Sequence, residues 1–190
     1  MTNDSSSQAF FEEKYGAAAD PWAFASSDYE QHRYTTILNA LGRRRYHRAF
    51  EPGCSIGILT ERLAPRCGQV EAIDISPTAV SRAQERCQFL PNVTIKPGAL
   101  PDQIPDGTFD LIVFSEIGYY FDQPTLVSLA RELADRLRNE GMLLAVHWLG
   151  TSPDHRLTGD QVHDLLGIVN LVPTRSRRYE GFRLDCWSRV

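Results

Sequence analysis

A short segment with two glycines is the first part of the chain whose residue types suggest chemistry. It reads Glu51-Pro52-Gly53-Cys54-Ser55-Ile56-Gly57, directly after an apolar segment that ends at Phe50. Glycines at such a place let the backbone pass close under a ligand and let the next helix begin tightly. The spacing is not the Gly-x-Gly-x-x-Gly of a dinucleotide site, and the Glu51 carboxylate would disfavour a pyrophosphate. The loop therefore indicates a ligand with a positively charged group.

A second acidic residue follows the next apolar segment. Asp74 ends the segment 69–74 and comes 21 residues after Gly53. This is close to the offset of about 20 residues at which an acidic side chain meets ribose hydroxyls in nucleotide-binding folds. Further along, Gly98 follows a third apolar segment, where an adenine ring would find room against the backbone. These residues predict a site for an adenosine group.

Two buried segments carry polar residues at their carboxyl ends. Ser115 and Glu116 end the segment 108–116, and His147 ends the segment 141–147. Ligands of open α/β sheets bind outside the carboxyl ends of the strands. We therefore expect these side chains to lie at the same edge of a sheet as the glycine loop.

The elements that must position these residues alternate along the chain from about residue 46. The predicted strands lie near 47–51, 69–74, 92–96, 109–115, 141–147, 170–176 and 180–188. The predicted helices lie near 7–15, 28–41, 57–65, 77–87, 123–138 and 159–167. Gly141 occupies the position of a C-terminal cap for the helix before it. Asp20-Pro21 separates the first two helices.

This alternation predicts a doubly wound, Rossmann-like α/β fold. We expect a seven-stranded, mostly parallel sheet with an antiparallel edge at the C-terminus. Residues 1–45 are expected to form a helical cap, and residues 46–190 the ligand-binding domain, together as one structural unit.

Composition excludes several classes of function. The chain has 190 residues and 42% hydrophobic residues, which is ordinary for a globular domain. The net charge of −4 argues against nucleic acid as a partner, because phosphate neutralisation needs a basic face. No apolar run approaches the length of a membrane span and no secretory signal is visible, so a cytoplasmic location is expected. Four widely spaced cysteines indicate neither a metal site nor a redox motif.

Taken together, the motifs resemble the class I S-adenosylmethionine-dependent methyltransferases. The resemblance covers about residues 46–150 and depends on the order of the glycine loop, Asp74 and the segment 109–112. It implies S-adenosylmethionine as the cofactor. Where many of these enzymes carry an acidic residue after the third-strand glycine, this chain has Ala99. Adenine recognition would then depend on backbone groups and on the apolar walls Leu100 and Ile75.

A narrower resemblance extends over most of the chain. Phe11-Glu12-x-x-Tyr15, Asp20-Pro21-Trp22-x-Phe24, Tyr29-Glu30-x-x-Arg33-Tyr34 and the segment 157–163 are similar to the nodulation S type of methyltransferases. Those enzymes N-methylate a partly deacetylated chitooligosaccharide. The resemblance implies an amine acceptor on a small molecule or oligosaccharide, although relatives with this pattern also occur outside nodulation.

An amine acceptor needs a base, because an ammonium ion has no lone pair. Glu116 is the first candidate and His147 the second, with His163 and Asp122 behind them. The N-terminal aromatic residues are expected either to cover the cofactor or to pack the cap onto the sheet. Arg33 is expected to pair with the methionine carboxylate. The predicted cofactor-binding residues are Tyr15, Trp22, Arg33, Glu51, Gly53, Cys54, Gly57, Asp74, Ile75, Gly98, Ala99, Leu100 and Ser115.

Three alternatives stay open from the sequence. An O-methyltransferase of a small metabolite would use the same cofactor site. A non-catalytic module that only binds S-adenosylmethionine is a second alternative, against which Glu116 and His147 argue. A nicotinamide-dependent oxidoreductase is a third, against which the glycine spacing argues.

Overall fold

Helices and strands alternate in the computed structural model, which describes residues 7–190. The helices are α1 (Gln8–Ala17), α2 (Asp28–Ala40), α3 (Ile58–Leu63), α4 (Pro77–Arg86), α5 (Gln123–Arg136) and α6 (Gly159–Leu166). The strands are β1 (Tyr46–Pro52), β2 (Cys67–Asp74), β3 (Val93–Pro97), β4 (Phe109–Ser115), β5 (Leu137–Trp148), β6 (Val172–Arg178) and β7 (Phe182–Ser188). The predicted alternation is confirmed.

The seven strands form one sheet in the order β3-β2-β1-β4-β5-β7-β6. Strands β1 to β5 pair in parallel, whereas β7 is antiparallel to both β5 and β6. The predicted mostly parallel sheet with an antiparallel C-terminal edge is therefore confirmed. All seven residues of β6 are exposed, because this strand lies at the end of the sheet.

Strand β4 lies in the middle of the sheet, and all its residues are buried. Leu111 and Val113 belong to the core between the sheet and α2–α3, while Ile112 and Phe114 belong to the core beneath α5–α6. Helices covering both faces of a parallel sheet produce this continuous apolar strand.

Side-chain caps fix where the helices begin. The Ser76 hydroxyl accepts from the Ala79 N–H at the start of α4, and the Asp122 carboxylate accepts from the Thr125 N–H at the start of α5. At α6, Thr158 and Gln161 form a reciprocal capping box. These caps place the loops that precede α4, α5 and α6.

The prediction that Gly141 caps a helix is wrong. Helix α5 ends at Arg136, and β5 begins at once with Leu137, so Gly141 lies inside a strand. The residue with a left-handed backbone is the preceding one, Glu140, whose φ is 61°. The pairing of β5 with β4 also shifts register between Phe109 and Leu111, which accommodates the extra residues.

The N-terminal segment is fastened across the carboxyl edge of the sheet. The Glu12 carboxylate of α1 accepts hydrogen bonds from the Ser76 and Thr78 hydroxyls and from the Thr78 N–H at the start of α4. Ile37 of α2 is fully buried in the core shared with the sheet. The division of the chain near residue 45 stays a prediction. None of the helices within residues 7–190 is long and apolar enough to cross a membrane.

Candidate active site

A cavity of about 450 Å³ opens at the carboxyl ends of β1 and β4. These two strands are neighbours in the sheet but not along the chain. After β1 the chain continues to β2 and β3 on one side of β1, whereas β4 and β5 lie on the other side. Such a switch point leaves a crevice between the two loops, which is where open α/β sheets bind their ligands. The cavity therefore lies where the sequence predicted a site.

The loop after β1 forms the floor of this cavity. Gly53 has a φ of 73°, and a Cβ there would lie 2.4 Å from the Ile117 side chain, so only glycine fits. Ser55 also lines the cavity, and the Tyr15 hydroxyl donates to its side chain. Gly57 does not line the cavity; it precedes α3 and packs against Ala83 of α4.

Asp74 lies at the end of β2, as predicted, and lines the cavity. Its two carboxylate oxygens accept from the Ser55 N–H at 2.8 Å and from the Ser76 N–H at 2.9 Å. Burial raises the pKa of Asp74 to about 6, although these two hydrogen bonds lower it. Each oxygen keeps a lone pair for a further donor, which is what a ribose hydroxyl would supply.

The residues predicted to contact adenine lie together on one side of the cavity, and they are apolar or glycine. Ile75, Gly98, Ala99 and Leu100 all line it. The Ala99 N–H donates to the Gln103 side chain at 2.7 Å, which the sequence did not predict.

A small side pocket adjoins the cavity beneath the glycine loop. Glu51, Cys54 and Arg33 line it. Burial raises the pKa of Glu51 to about 8, while a 2.7 Å hydrogen bond from Thr60 lowers it. Burial, followed by the charges of Asp74 and Glu51, also raises the pKa of the Cys54 thiol. Glu51 and Cys54 are thus ionisable groups held in a low-dielectric pocket, where a cation would stabilise their charged forms.

Arg33 is almost fully buried and belongs to a charged cluster. Its guanidinium donates to Glu30 and, at 2.8 Å, to the Ser115 hydroxyl, and it lies 3.5 Å from the Glu116 carboxylate. Burial raises the pKa of Glu30, which Arg33 counteracts. In this arrangement Arg33 fixes two carboxylates at the cavity wall. Its expected pairing with a methionine carboxylate stays a prediction.

Glu116 follows β4 and faces the cavity with a φ of 61°. One carboxylate oxygen accepts from the Trp148 N–H at 2.8 Å, and the other accepts from the Tyr119 hydroxyl at 2.7 Å. A non-glycine residue with a left-handed backbone is uncommon and clusters at functional sites. The side chain is thus oriented by groups from two different loops.

The structure does not bring His147 to the cavity. Its ring is fully buried, with Phe114 and Tyr119 against it, and its Nε2 accepts from the Gly118 N–H at 3.1 Å. His163 is buried behind it on α6. Asp122, the remaining candidate base, caps α5 outside the lining of the cavity.

Aromatic side chains form most of the remaining wall. Trp22 stacks on Phe24 at 5.7 Å between ring centroids and meets Tyr15 edge to face at 5.4 Å. On the opposite side, His155 stacks on Tyr119 at 3.6 Å. The full aromatic lining comprises Phe11, Tyr15, Trp22, Phe24, Tyr29, Tyr119, Tyr120, Phe121, Trp148 and His155.

Charge is distributed unevenly around the cavity. Glu30, Asp74, Glu116 and Asp154 line it, and among residues 7–190 no lysine or arginine does. The sequence reasoning missed Glu30 and Asp154. The i,i+3 spacing of Glu30 and Arg33 on a predicted helix was the available signal for Glu30. Asp154 lies in a loop without any comparable signal.

Comparison with known proteins then decides the family. The model of the family described as Nodulation protein S (NodS) matches residues 4–148. The chain belongs to the nodulation protein S family. The resemblance found in the sequence is thereby confirmed.

Two curated members of the nodulation protein S family illustrate the relationship. The protein from Sinorhizobium fredii is 31% identical over 115 residues, which cover 60% of this chain and 53% of that protein. The protein from Bradyrhizobium diazoefficiens is 31% identical over 147 residues, which cover 76% of this chain and 69% of that protein. The chain spans about half the length of the Sinorhizobium fredii relative.

Solved structures agree with this family assignment. A putative methyltransferase from Pseudomonas syringae is 38% identical, with a TM-score of 0.72 over 85% of this chain and 99% of its own. The N-methyltransferase NodS from Bradyrhizobium japonicum, in complex with S-adenosyl-L-homocysteine, has a TM-score of 0.85 at 23% identity, over 96% of this chain and 98% of its own. The fold described above is therefore shared with these methyltransferase structures.

Proposed function

We propose that this chain is an S-adenosylmethionine-dependent methyltransferase that methylates the free amine of a deacetylated chitooligosaccharide or a related amino sugar. The observation that carries the amine is the charge of the cavity wall. Four carboxylates line it, those of Glu30, Asp74, Glu116 and Asp154. Two cations stand behind them: Arg33 pairs with Glu30 and Glu116, and Lys14 lies 3.9 Å from Asp154. The wall therefore keeps an excess of negative charge. A crevice lined by one sign of charge attracts the opposite sign, so this cavity favours a cationic acceptor over a carboxylate or phosphate ester.

The residues present also fit the cofactor. Gly53 leaves space that a Cβ would fill, Asp74 keeps free lone pairs at the end of β2, and the aromatic rings of Tyr15 and Trp22 cover the loop. Aromatic faces attract a cation such as a sulfonium. When bound, S-adenosylmethionine would supply a methyl group on a positively charged sulfur; the acceptor attacks the methyl carbon in line, and the sulfur leaves as a neutral thioether. The protein need not supply a nucleophile; it aligns the acceptor and excludes water.

Glu116 has the position required of the base. An amine that enters as an ammonium ion must lose a proton before its nitrogen has a lone pair. Each Glu116 oxygen already accepts one hydrogen bond, from the Trp148 N–H or from the Tyr119 hydroxyl. The oxygen that accepts from Trp148 also lies 3.5 Å from the Arg33 guanidinium, so the lone pair that remains for the acceptor is on the other oxygen, Oε2.

The wall beyond Glu116 supports a sugar as the carrier of that amine. Tyr120, Phe121 and Trp148 line the cavity there, together with the stacked pair Tyr119–His155. The apolar face of an aromatic ring can pack against the C–H face of a sugar ring, and the Tyr O–H and Trp N–H groups can bind its hydroxyls. Asp154 adds a carboxylate acceptor for hydroxyl or ammonium groups on the same side.

A transfer assay with methyl-labelled S-adenosylmethionine tests the proposal. Deacetylated chitooligosaccharides, their fully N-acetylated counterparts and glucosamine would be compared as acceptors. We expect label on the deacetylated oligosaccharide alone or above the others, and an N-methyl signal in the product. Label on a hydroxyl acceptor instead would favour the O-methyltransferase, and cofactor binding without turnover on any acceptor would favour the non-catalytic module.

A further inference from the structure

Three buried side chains form a line behind the loop that carries Glu116. His147 is the penultimate residue of β5, His163 lies on α6 and Asp185 lies on β7, and none of them is more than 2% exposed. The His147 Nδ1 lies 3.2 Å from the His163 Nε2, and the His163 Nδ1 lies 2.9 Å from the Asp185 carboxylate. We call these three residues the histidine chain.

A backbone group determines the direction of every hydrogen bond in the histidine chain. The Gly118 N–H can only donate, so the His147 Nε2, 3.1 Å away, must accept. The His147 proton is then on Nδ1 and is donated to the His163 Nε2. The His163 proton is likewise on Nδ1 and is donated to Asp185. Both rings are therefore neutral, with the Nδ1–H tautomer.

The surroundings support this assignment. Burial lowers the pKa of His147 well below its usual value, and the neighbouring His163 lowers it further. Burial raises the pKa of Asp185, but the hydrogen bonds from His163 and Ser176 and the charge of Arg183 together lower it below its usual value. The Arg183 Nε forms an ion pair with the same Asp185 oxygen at 2.9 Å, and Arg183 is itself paired with Asp164. The chain of hydrogen bonds thus ends on a fixed carboxylate.

The first link of the histidine chain holds a loop with no spare room. A Cβ at Gly118 would lie 2.4 Å from the Val162 side chain and 2.8 Å from the His147 Nε2. Gly118 begins the short 3-10 turn Gly118–Tyr120, and Tyr119 within it donates to the Glu116 carboxylate. A shift of Gly118 would therefore move the hydroxyl that orients Glu116.

We propose that His147 and His163 are positioning residues, which hold the Gly118–Tyr120 turn and through Tyr119 orient Glu116 toward the acceptor. His147 is thus not the base. The link to the acceptor rests on the proposed function, whereas the hydrogen-bond directions and the position of the turn do not.

Two substitutions at His147 separate the roles of its two ring nitrogens. The amide oxygen of Gln lies as many bonds from Cβ as Nε2 does, so His147→Gln retains an acceptor for Gly118. The amide nitrogen of Asn lies as many bonds away as Nδ1, so His147→Asn retains only the donor to His163. Leaving the buried Gly118 N–H without an acceptor should reduce the equilibrium constant that favours the observed position of the turn by about tenfold to a hundredfold.

We expect His147→Asn to lower kcat/KM for the acceptor by about tenfold or more and His147→Gln to lower it by about threefold at most, because only the first displaces the turn that orients Glu116. The cofactor Kd should stay within about twofold of the parent in both, because the histidine chain does not touch the glycine loop. His47 is exposed at the start of β1, so His47→Asn and His47→Gln are matched controls. Equal loss of kcat in both His147 variants, with an unchanged acceptor KM, would show that the ring transfers protons and would overturn the proposal.

Nitrogen NMR of the imidazole rings tests the geometry without turnover. In the cofactor-free protein at pH 7.5, we expect protonated Nδ1 and unprotonated Nε2 for both His147 and His163. The Gly118 amide resonance should move in His147→Asn and much less in His147→Gln. A protonated Nε2 at His147 would overturn the proposal even if amine methylation is found. Conversely, the expected spectra without any methylation would leave the histidine chain standing and reject the proposed function alone.

Discussion

The two halves of the cavity are built in different ways. On the side proposed for the cofactor, three lining residues lie directly after strands: Gly53 after β1, Ile75 after β2 and Gly98 after β3. On the side proposed for the acceptor, Glu116 accepts hydrogen bonds from Tyr119 and from the backbone of Trp148, and Gly118 beside them donates to the histidine chain. The first half is made of local backbone geometry, and the second half is made of long-range side-chain contacts. Substitutions should therefore affect one half while sparing the other.

The largest effect is expected from Glu116→Gln. Loss of a positioned base lowers turnover by about a hundredfold to ten-thousandfold. The cofactor Kd should change by less than about twofold, since Glu116 lies on the side of the cavity proposed for the acceptor. Initial rates over pH 6 to 9 and calorimetry of cofactor binding measure the two quantities. Asp122→Asn, an exposed helix cap outside the cavity, is the control. Full turnover in Glu116→Gln would remove the base from this side of the cavity.

Asp74→Ala should produce the opposite pattern. If its carboxylate holds the ribose hydroxyls, cofactor binding weakens by about 1.5–3 kcal/mol. The acceptor KM, measured at saturating cofactor, should be nearly unchanged. Because the substitution also leaves the Ser55 and Ser76 N–H groups without their acceptor, a thermal melt must show that the variant is folded. The exposed Asp106→Ala is the matched control, and an unchanged cofactor Kd in folded Asp74→Ala would refute the role.

Trp22→Ala tests the segment that covers the cofactor side. Its ring lies against Tyr15 and Phe24, so its loss removes aromatic cover from the loop. We expect cofactor binding to weaken by about 1 kcal/mol, the upper range for a cation over an exposed ring. Fluorescence or calorimetric titration measures it. Unchanged cofactor affinity together with a lower melting temperature would mean that Trp22 only packs the cap onto the sheet.

The smallest effect concerns Glu51 and pH. Its pKa is raised from 4.5 to about 8 by burial, so between these values the folded state binds a proton that the unfolded state has lost. The free energy of unfolding therefore falls as pH rises through this window. Glu51→Gln removes this contribution, and we expect its melting temperature at pH 8 to exceed that of the parent by about 2–4 °C for each kcal/mol of destabilisation removed. The two proteins should melt alike near pH 4.5. An equal pH dependence in both would show that Glu51 is not the group responsible.

These differences between the halves also explain what the sequence was able to predict. Strand, loop and helix follow one another within the segment 46–63, so the glycine loop was visible as a local pattern. Asp74 was found by its offset along the chain. The boundary of β5 was missed because Glu140 takes a left-handed backbone that propensity does not indicate.

His147 shows why the acceptor half was harder to predict. It ends a buried strand beside Trp148, but neighbouring side chains on a strand point to opposite faces. Leu143 and Ala145 belong to the core beneath α5–α6, and His147 continues that face, so its ring meets His163 rather than the cavity. Only the packing of α6, some ten residues further along the chain, reveals its partner.

The outer edge of β6 has a consequence for the protein at high concentration. Within the described residues no further strand pairs with this edge, and an uncovered edge of this kind invites sheet-to-sheet aggregation. Pro173 interrupts the row of N–H donors, and Arg175, Arg177 and Arg178 add positive charge along the exposed strand. A second copy that approached in antiparallel register would bring arginines against arginines. The same residues that leave β6 bare of apolar contacts thus protect the sheet from growing past its last strand.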